Sequence, residues 1–545
     1  MRPRLFFVRI HPPFVPLVFH GSRFMRLLQR ASPFILICLS CAISVRAQTP
    51  AAAPATMPAV RSHVERFSRP EVRAERTERE ATAKLSTNQN DAEALNARAY
   101  ARMSLGNYKE AYEDLRRAVA LKPSNAEYQA GLGYTLWKIG RHKEAIEAER
   151  AALKADDKNF TAHYQLGRFL LFTANGNKQQ LTESAAHLRR SLELDPRRSE
   201  VRFDLLTAYR SLGDSAQAFA QLKLLEDARP SDPRVTYIDA LLASDRNDMS
   251  AAINGLREAI RQDPTLYGAW HDLGLAFIKL ARWKEAVETF SELSKRQPDA
   301  VEVAYFHALS LYNAGRTVEA EREARRALRL DAGSSAAHTL LGIILASRGG
   351  ASEHEAAESL SQAVALDPSS FDAQFYLGRV QYALRDYQAA ARTLRAAIAL
   401  NPRHAEARFF LGTTLEAAGE SGAALAEYQE LVKLDPQSAI GQVGLGALLV
   451  KQGKTDEAIA ALNRAITLDP KIFEAHLSLG RALALANRFN EAIEALQKAV
   501  ALAPNRPDAH YQLGLALRRA NRADEAAAEF ATVERLNAEF RSRTK

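Results

Sequence analysis

The chain has 545 residues, 47% of them hydrophobic, and a formal charge of +9. Residues 1–80 hold 13 Lys+Arg against 5 Asp+Glu, so nearly all of the excess charge lies there and the remainder is close to neutral, which supplies no basic stripe for nucleic acid. Both cysteines, Cys38 and Cys41, fall inside an apolar leader, which excludes disulfides, thiol nucleophiles and cysteine-based metal sites from the rest of the chain.

That leader, Met25 to Ala47, has the three parts of a secretory signal: Arg26 and Arg30, an apolar run from Pro33 to Val45, and the small-residue pattern Val45-Arg46-Ala47. The run is too short for a stable membrane span, so membrane attachment is expected only if the leader stays uncleaved. Cleavage predicts a mature start at Gln48 and a periplasmic or secreted protein. Met1 to Phe24, with Pro12, Pro13 and Pro16, does not fit the front of such a signal and points to initiation at Met25. Cys41 lacks the leucine expected three residues before a lipidated cysteine, which disfavours a lipoprotein. Residues 48–91 read as an Ala/Pro linker and then a charged helix, Glu71 to Leu85, that caps the start of a repeat array.

From about Ala92 to Lys545 one unit recurs. Tyr267 to Ala300 is its clearest copy, with Trp270, Leu273, Gly274 and Phe277 on one face of a first helix. Ala286, Phe290 and Leu293 lie on a second, and Pro298 stops it. Thirteen copies begin near Ala92, Ala126, Phe160, Ser199, Pro233, Tyr267, Val301, Ser335, Phe371, Ala405, Ala439, Phe473 and Pro507. The spacing is 34 residues except in the third and eighth, which gain residues around Thr173–Gln180 and Ser347–His354, at the turn between helices. Gly or Asn recurs in that turn, as at Gly106, Gly315 and Asn487, where a left-handed helix cap is needed. Neither helix alone buries its apolar stripe, so the hairpins must stack.

The Leu-Gly pairs (Leu132-Gly133, Leu273-Gly274, Leu479-Gly480), the small–large–small triplets (Ala111/Leu115/Ala118, Ala458/Leu462/Ala465) and the closing prolines (Pro123, Pro264, Pro504) resemble the tetratricopeptide repeat over residues 92–545. The resemblance implies an all-α, right-handed superhelical solenoid of about thirteen helix-turn-helix repeats. The fifth repeat, with Asp239-Ala240, and the seventh, with His307-Ala308 and Ala332 for proline, depart from the pattern, and looser or differently angled joints are expected there. The last stripe, Phe530, Val533, Leu536 and Phe540, is expected to cap itself or to meet a partner or a second copy of the chain.

No phosphate loop, His-Glu-x-x-His pair or G-x-S-x-G elbow is present, and repeats occupy the chain to its end, so no catalytic residue, cofactor or metal is expected. His163, His338, His476 and His510 share the fourth repeat position but stand one repeat apart, roughly 10 Å by helix packing distances, too far to converge on one ion. A glutamate column (Glu93, Glu127, Glu200, Glu302, Glu406, Glu474) sits in the first turn of the first helices and offsets the helix dipole.

The resemblance also implies that positions two, five, nine, twelve and thirteen of the first helices line a concave face. The fifth-position column is Tyr164, Phe203, Tyr237, His271, Tyr305, Phe375, Phe409 and Tyr511. Deeper positions hold Tyr134, Trp137, Arg168, Arg210, Tyr312, Arg379, Tyr382, Arg481 and Arg518. Aromatics and arginines dominate protein-binding hot spots. The expected function is therefore a non-catalytic exported scaffold that binds a protein or peptide. A structural part of an envelope assembly or export machine is the alternative, and the front half of a transferase a lesser one.

Overall fold

The computed structural model describes residues 70–543; the leader and the linker as far as residue 69 lie outside the described residues. Among the described residues are 27 α-helices and no strand. The described residues divide into two compact units, one ending at residue 295 and the other beginning at residue 296. In the first, a helix over Pro70–Thr87 packs on Ala92–Ser104 and hairpins 1–6 come after it; the second carries hairpins 7–13. Within each unit every second helix packs on the next first helix, and in repeats 1–4 and 7–13 successive first helices also touch, as Phe473–Leu485 and Pro507–Arg519 do. That is the all-α solenoid packing expected of repeats whose stripes are buried only by neighbours.

Local chemistry sets each hairpin. First helices are opened by side chains that accept free amide hydrogens: Asp91 from Ala94 N, Asn125 from Tyr128 N, Asn159 from Ala162 N and Ser370 from Ala373 N. Each such cap contributes about 1 kcal/mol. The turn residue between helices is left-handed at Gly106 (φ 82°), Gly315 (79°) and Asn487 (60°), but also at Ala281 (54°) and Arg385 (66°), where a β-carbon makes that conformation unfavourable. Where the two helices cross, glycine is required by contact: a Cβ on Gly274 would stand 2.5 Å from the Phe290 ring. Tyr428 lies between two glycines, and a Cβ on Gly412 or Gly444 would stand 2.5 or 2.6 Å from its ring.

The fourth-position column fastens the loops. The Nε2 of His163, His338, His476 and His510 lies 3.0, 3.2, 2.9 and 2.9 Å from the carbonyl six residues earlier, so a ring N–H donates to it. Trp270, Gln374 and Arg408 make the same bond at 3.1, 3.4 and 3.1 Å. Any side chain with a donor at that reach serves, which is why histidine is one choice among several. Of the extra residues in the third repeat, some extend its second helix, Lys178–Leu194, to 17 residues, and the turn before it is left-handed at Asn175 and Gly176. In the eighth, a short 3-10 turn over Gly350–Ser352 takes up the insertion.

The departures from the repeat pattern are compensated inside their own hairpins. In repeat 5 the glycine has moved to the facing helix: a Cβ on Gly255 would stand 2.7 Å from that of Ala240. In repeat 7 the residue facing Ala308 is Ala324 rather than a leucine, and both are fully buried. His307 there sits 3.6 Å from Glu323, and Arg326 2.9 Å from the same carboxylate. Repeat 1 makes the matching exchange with charge: Arg98 and Arg102 donate to the buried Asp114 at 2.6 and 2.8 Å.

Candidate functional site

On the first-helix face of the first unit, Trp137 stacks on Phe169 with centroids 4.2 Å apart and meets Phe172 edge-on at 5.0 Å. Tyr134 lies 5.5 Å from the Lys138 ammonium. Arg168 covers the Tyr164 ring at 5.3 Å and reaches Asp204 at 3.2 Å. Burial pushes the Asp204 carboxyl above its ordinary range, while Arg168 and the Tyr164 hydroxyl pull it back. Arg234 covers Phe203 at 4.3 Å and bridges to Glu200 at 2.9 Å. Arg210 pairs with Asp245 at 2.5 Å. Tyr237 donates to Asp272 at 2.5 Å in the interior.

In the second unit a denser group forms over repeats 7–10. The Arg379 guanidinium lies 4.8 Å from the Phe410 ring centre and 5.5 Å from those of Phe375 and Tyr376. Its carboxylate neighbour, Glu406, stands at 3.8 Å, beyond hydrogen-bond length. Burial raises the half-buried Asp372 carboxyl. Burial, reinforced by Asp372, raises the Tyr305 hydroxyl; that of Tyr376 rises mainly through burial as well, with Arg379 opposing. Tyr312 is raised by burial, against the pull of a hydrogen bond with Ser347 and of Arg379. These phenols therefore remain protonated at neutral pH, and those of Tyr312 and Tyr376 lie near one flat cation held by aromatic faces. Tyr382 contacts Tyr387 at 5.6 Å, and Phe409 rests on Tyr428 at 6.0 Å. In the last two repeats Arg481 and Arg518 are exposed, and Tyr511 is 47% exposed beside Phe530.

Among the described residues no three His, Cys, Asp or Glu side chains gather as metal ligands. Aromatic rings and guanidiniums are groups that protein-binding surfaces use. A model of the tetratricopeptide repeat matches residues 96–160, 162–233, 271–337, 354–391, 378–439, 443–507 and 486–539. The chain belongs to the tetratricopeptide repeat family. The tetratricopeptide solenoid fits a protein-interaction scaffold. The chain is similar to tetratricopeptide repeat protein 37 of Xenopus laevis, 26% identical over 206 residues, a match that takes in 36% of this chain and 13% of the relative. Solved structures with a similar course include Cut9–Hcn1 of the APC/C, at 14% identity and TM-score 0.42 over 84% of this chain and 98% of that one. Yeast Tom70 stands at 16% and 0.35 over 82% and 92%. YrrB, a tetratricopeptide protein described as having an unusual peptide-binding site, is at 22% and 0.29 over 34% and 95%.

Within this tetratricopeptide array the seventeen candidate residues separate by burial. Tyr237 and His271 are 1% exposed and Phe203 and Phe375 are buried too, so these four are packing groups and offer no ligand contact. Tyr312 and Arg379 are brought together; Arg168, Arg481 and Arg518 belong to separate neighbourhoods. The glutamate column also does more than meet helix dipoles: Glu93 reaches Lys122 at 3.2 Å, Glu200 reaches Arg229 at 3.3 Å and Glu474 reaches Arg506 at 3.9 Å, tying one repeat to the next loop. Asp372 and Tyr376 escaped the sequence reading, although Asp372 shares the glutamates' column and Tyr376 the sixth position held by Asp204 and Asp272.

Proposed function

We propose that the protein is an exported, non-catalytic scaffold whose first-helix face in repeats 7–10 holds an extended segment of a partner polypeptide. The observation that carries this reading is the Arg379 group: a guanidinium held against the rings of Phe375, Tyr376 and Phe410, with its carboxylate neighbour at 3.8 Å and the protonated phenols of Tyr312 and Tyr376 nearby. Phenol hydroxyls donate to the carbonyls of an extended backbone, and the edge of the guanidinium accepts an acidic side chain or carboxylate in place of Glu406. Little ordering is required of the protein, because its aromatic faces already fix the cation. The leader pattern from Met25 to Ala47 supports export.

The test is recovery of partners from periplasmic or culture-medium extract by the wild type and by Arg379→Glu. Loss of a specific polypeptide from the variant, with helicity unchanged, supports the reading; identical recovery sinks it. Sequencing the amino terminus of the exported protein tests the second part, with Gln48 expected.

A further inference from the structure

The second helix of repeat 7, Thr317–Leu330, reads TVEAEREARRALRL. It places Arg322, Arg325, Arg326 and Arg329 within about two helical turns. No other fourteen-residue second helix of that unit carries more than two Lys or Arg. At helical spacing Val318, Arg322, Arg325 and Arg329 share one face. With Glu321 and with Arg348 from the next hairpin they line one shallow depression, distinct from the first-helix face around Arg379.

Glu321 is the one carboxylate in that lining, and it is fully engaged by Arg325 and Arg348. Burial pushes its carboxyl up, yet the two guanidiniums prevail and hold it below its ordinary value. Arg325 is fixed further by Glu355 at 2.5 Å. The remaining two cations are uncommitted to any strong pair. Arg322 is 68% exposed, and its nearest acid, Glu323, stands at 3.7 Å and is already held by Arg326. Arg329 has no ion-pair partner among the described residues. Between them Val318 is 74% exposed. An ordinary solvated helix face interleaves charges of both signs; here positive charge outweighs negative around a bare apolar side chain.

We propose that this face of repeat 7 is a second docking surface, taking an acidic segment of a protein partner whose carboxylates meet Arg322 and Arg329 and whose apolar side chain covers Val318. The preorganised pair Arg325–Arg348 forms one wall, so only Arg322 and Arg329 need to be ordered on binding. Guanidinium forks favour carboxylates through two-point hydrogen bonds.

The probe is a fluorescein-labelled, glutamate-rich peptide with a single leucine, titrated by anisotropy against the full chain, with duplex DNA and phosphatidylglycerol vesicles measured alongside. Arg322→Glu/Arg329→Glu is expected to weaken peptide binding at least about tenfold, since each reversal removes an attraction and adds a repulsion. Arg322→Gln/Arg329→Gln, which leaves an uncharged exposed helix face, is expected to give an intermediate loss and secures the test if the reversal disturbs folding. Arg379→Glu is titrated alongside, and a larger loss there than in Arg322→Glu/Arg329→Glu would put the peptide in the groove and overturn the proposal. Absence of binding by the wild type, equal binding by both double variants, or tighter binding of DNA or vesicles than of the peptide would each overturn the proposal.

Discussion

Glu149 replaces an apolar side chain at the most crowded point of repeat 2, and its substitution gives the sharpest test of how these hairpins are held. The equivalent residue is Leu115, Leu188, Phe290 or Tyr428 in other repeats, packed against the crossing glycine. Glu149 is 0% exposed, neither carboxyl oxygen has a hydrogen-bond partner, and a Cβ on Gly133 would stand 2.8 Å from its carboxyl carbon. Burial raises its pKa well above the ordinary range. The folded chain therefore keeps a proton that the unfolded chain releases near pH 4.3. Because the native state binds the extra proton, stability falls as pH rises above the unfolded value, by about 1.4 kcal/mol per unit until the raised folded value is reached. Even uncharged, the unpaired carboxyl costs about 1–3 kcal/mol.

Glu149→Leu is thus expected to stabilise repeat 2 by about 1–3 kcal/mol near pH 4, with the gain widening by about 1.4 kcal/mol per unit above it. Glu149→Gln should remove the pH dependence and retain the unpaired polar cost. Native-state hydrogen exchange of Ala126–Lys138 and His142–Ala155 in the full chain, corrected for intrinsic rates, reads the local opening energy. A difference between wild type and Glu149→Leu that stays constant from about pH 5 to about pH 8 would refute the reasoning, because no proton would then be tied to folding.

Three further outcomes are expected. Ala281→Gly relieves a left-handed residue at φ 54° and should raise the melting temperature, through roughly 0.5–1 kcal/mol after the entropy of glycine is subtracted. Asp114→Ala strands Arg98 and leaves Arg102 with Glu78 alone, and should cost about 3–5 kcal/mol in urea unfolding of the first unit's opening repeats. Glu323 is held down to about 2 by His307 first, and by Arg326, against burial. Its folded pKa lies below the unfolded one, so its contribution is complete above about pH 4.5 and lost as pH falls toward 2; Glu323→Gln should flatten that acid limb of hydrogen exchange in Thr317–Leu330.

The regular part of this molecule was legible because its physics is periodic. A glycine facing a leucine, a left-handed turn and a capped first helix recur at fixed spacing, so each copy reinforces the next. The exceptions were not legible, because they are pairwise. Asp239-Ala240 reads as a defect until Gly255 is seen opposite it, and His307-Ala308 reads so until Glu323 and Ala324 are. Those partners lie about sixteen residues apart on facing helices, a distance that a helical-face pattern does not connect. Glu149 was hidden for the opposite reason: in HKEAIEAERAALKA it looks like one more acid of a solvated face beside Glu144 and Glu147. Burial of the aromatic column was also out of reach, since whether Phe203 or Tyr305 faces solvent depends on how closely the next first helix lies.

These exceptions bear on where function resides. A repeat that keeps to the pattern is fixed by packing, and its side chains are set by what the neighbouring hairpins need. Repeat 7 has given up the glycine–leucine contact, closes its core with Ala308 and Ala324, and moves the Glu323–Arg326 ion pair, with His307 at 3.6 Å from Glu323, into the space beside it. Its second helix is thereby left with Arg322, Arg325 and Arg329 beside an exposed valine, while its first helix contributes Tyr312 to the Arg379 group. Stacking alone asks for neither feature. A hairpin that departs from the shared solution on both of its helices, yet remains closely packed, has its surface chemistry set by something other than its neighbours in the stack.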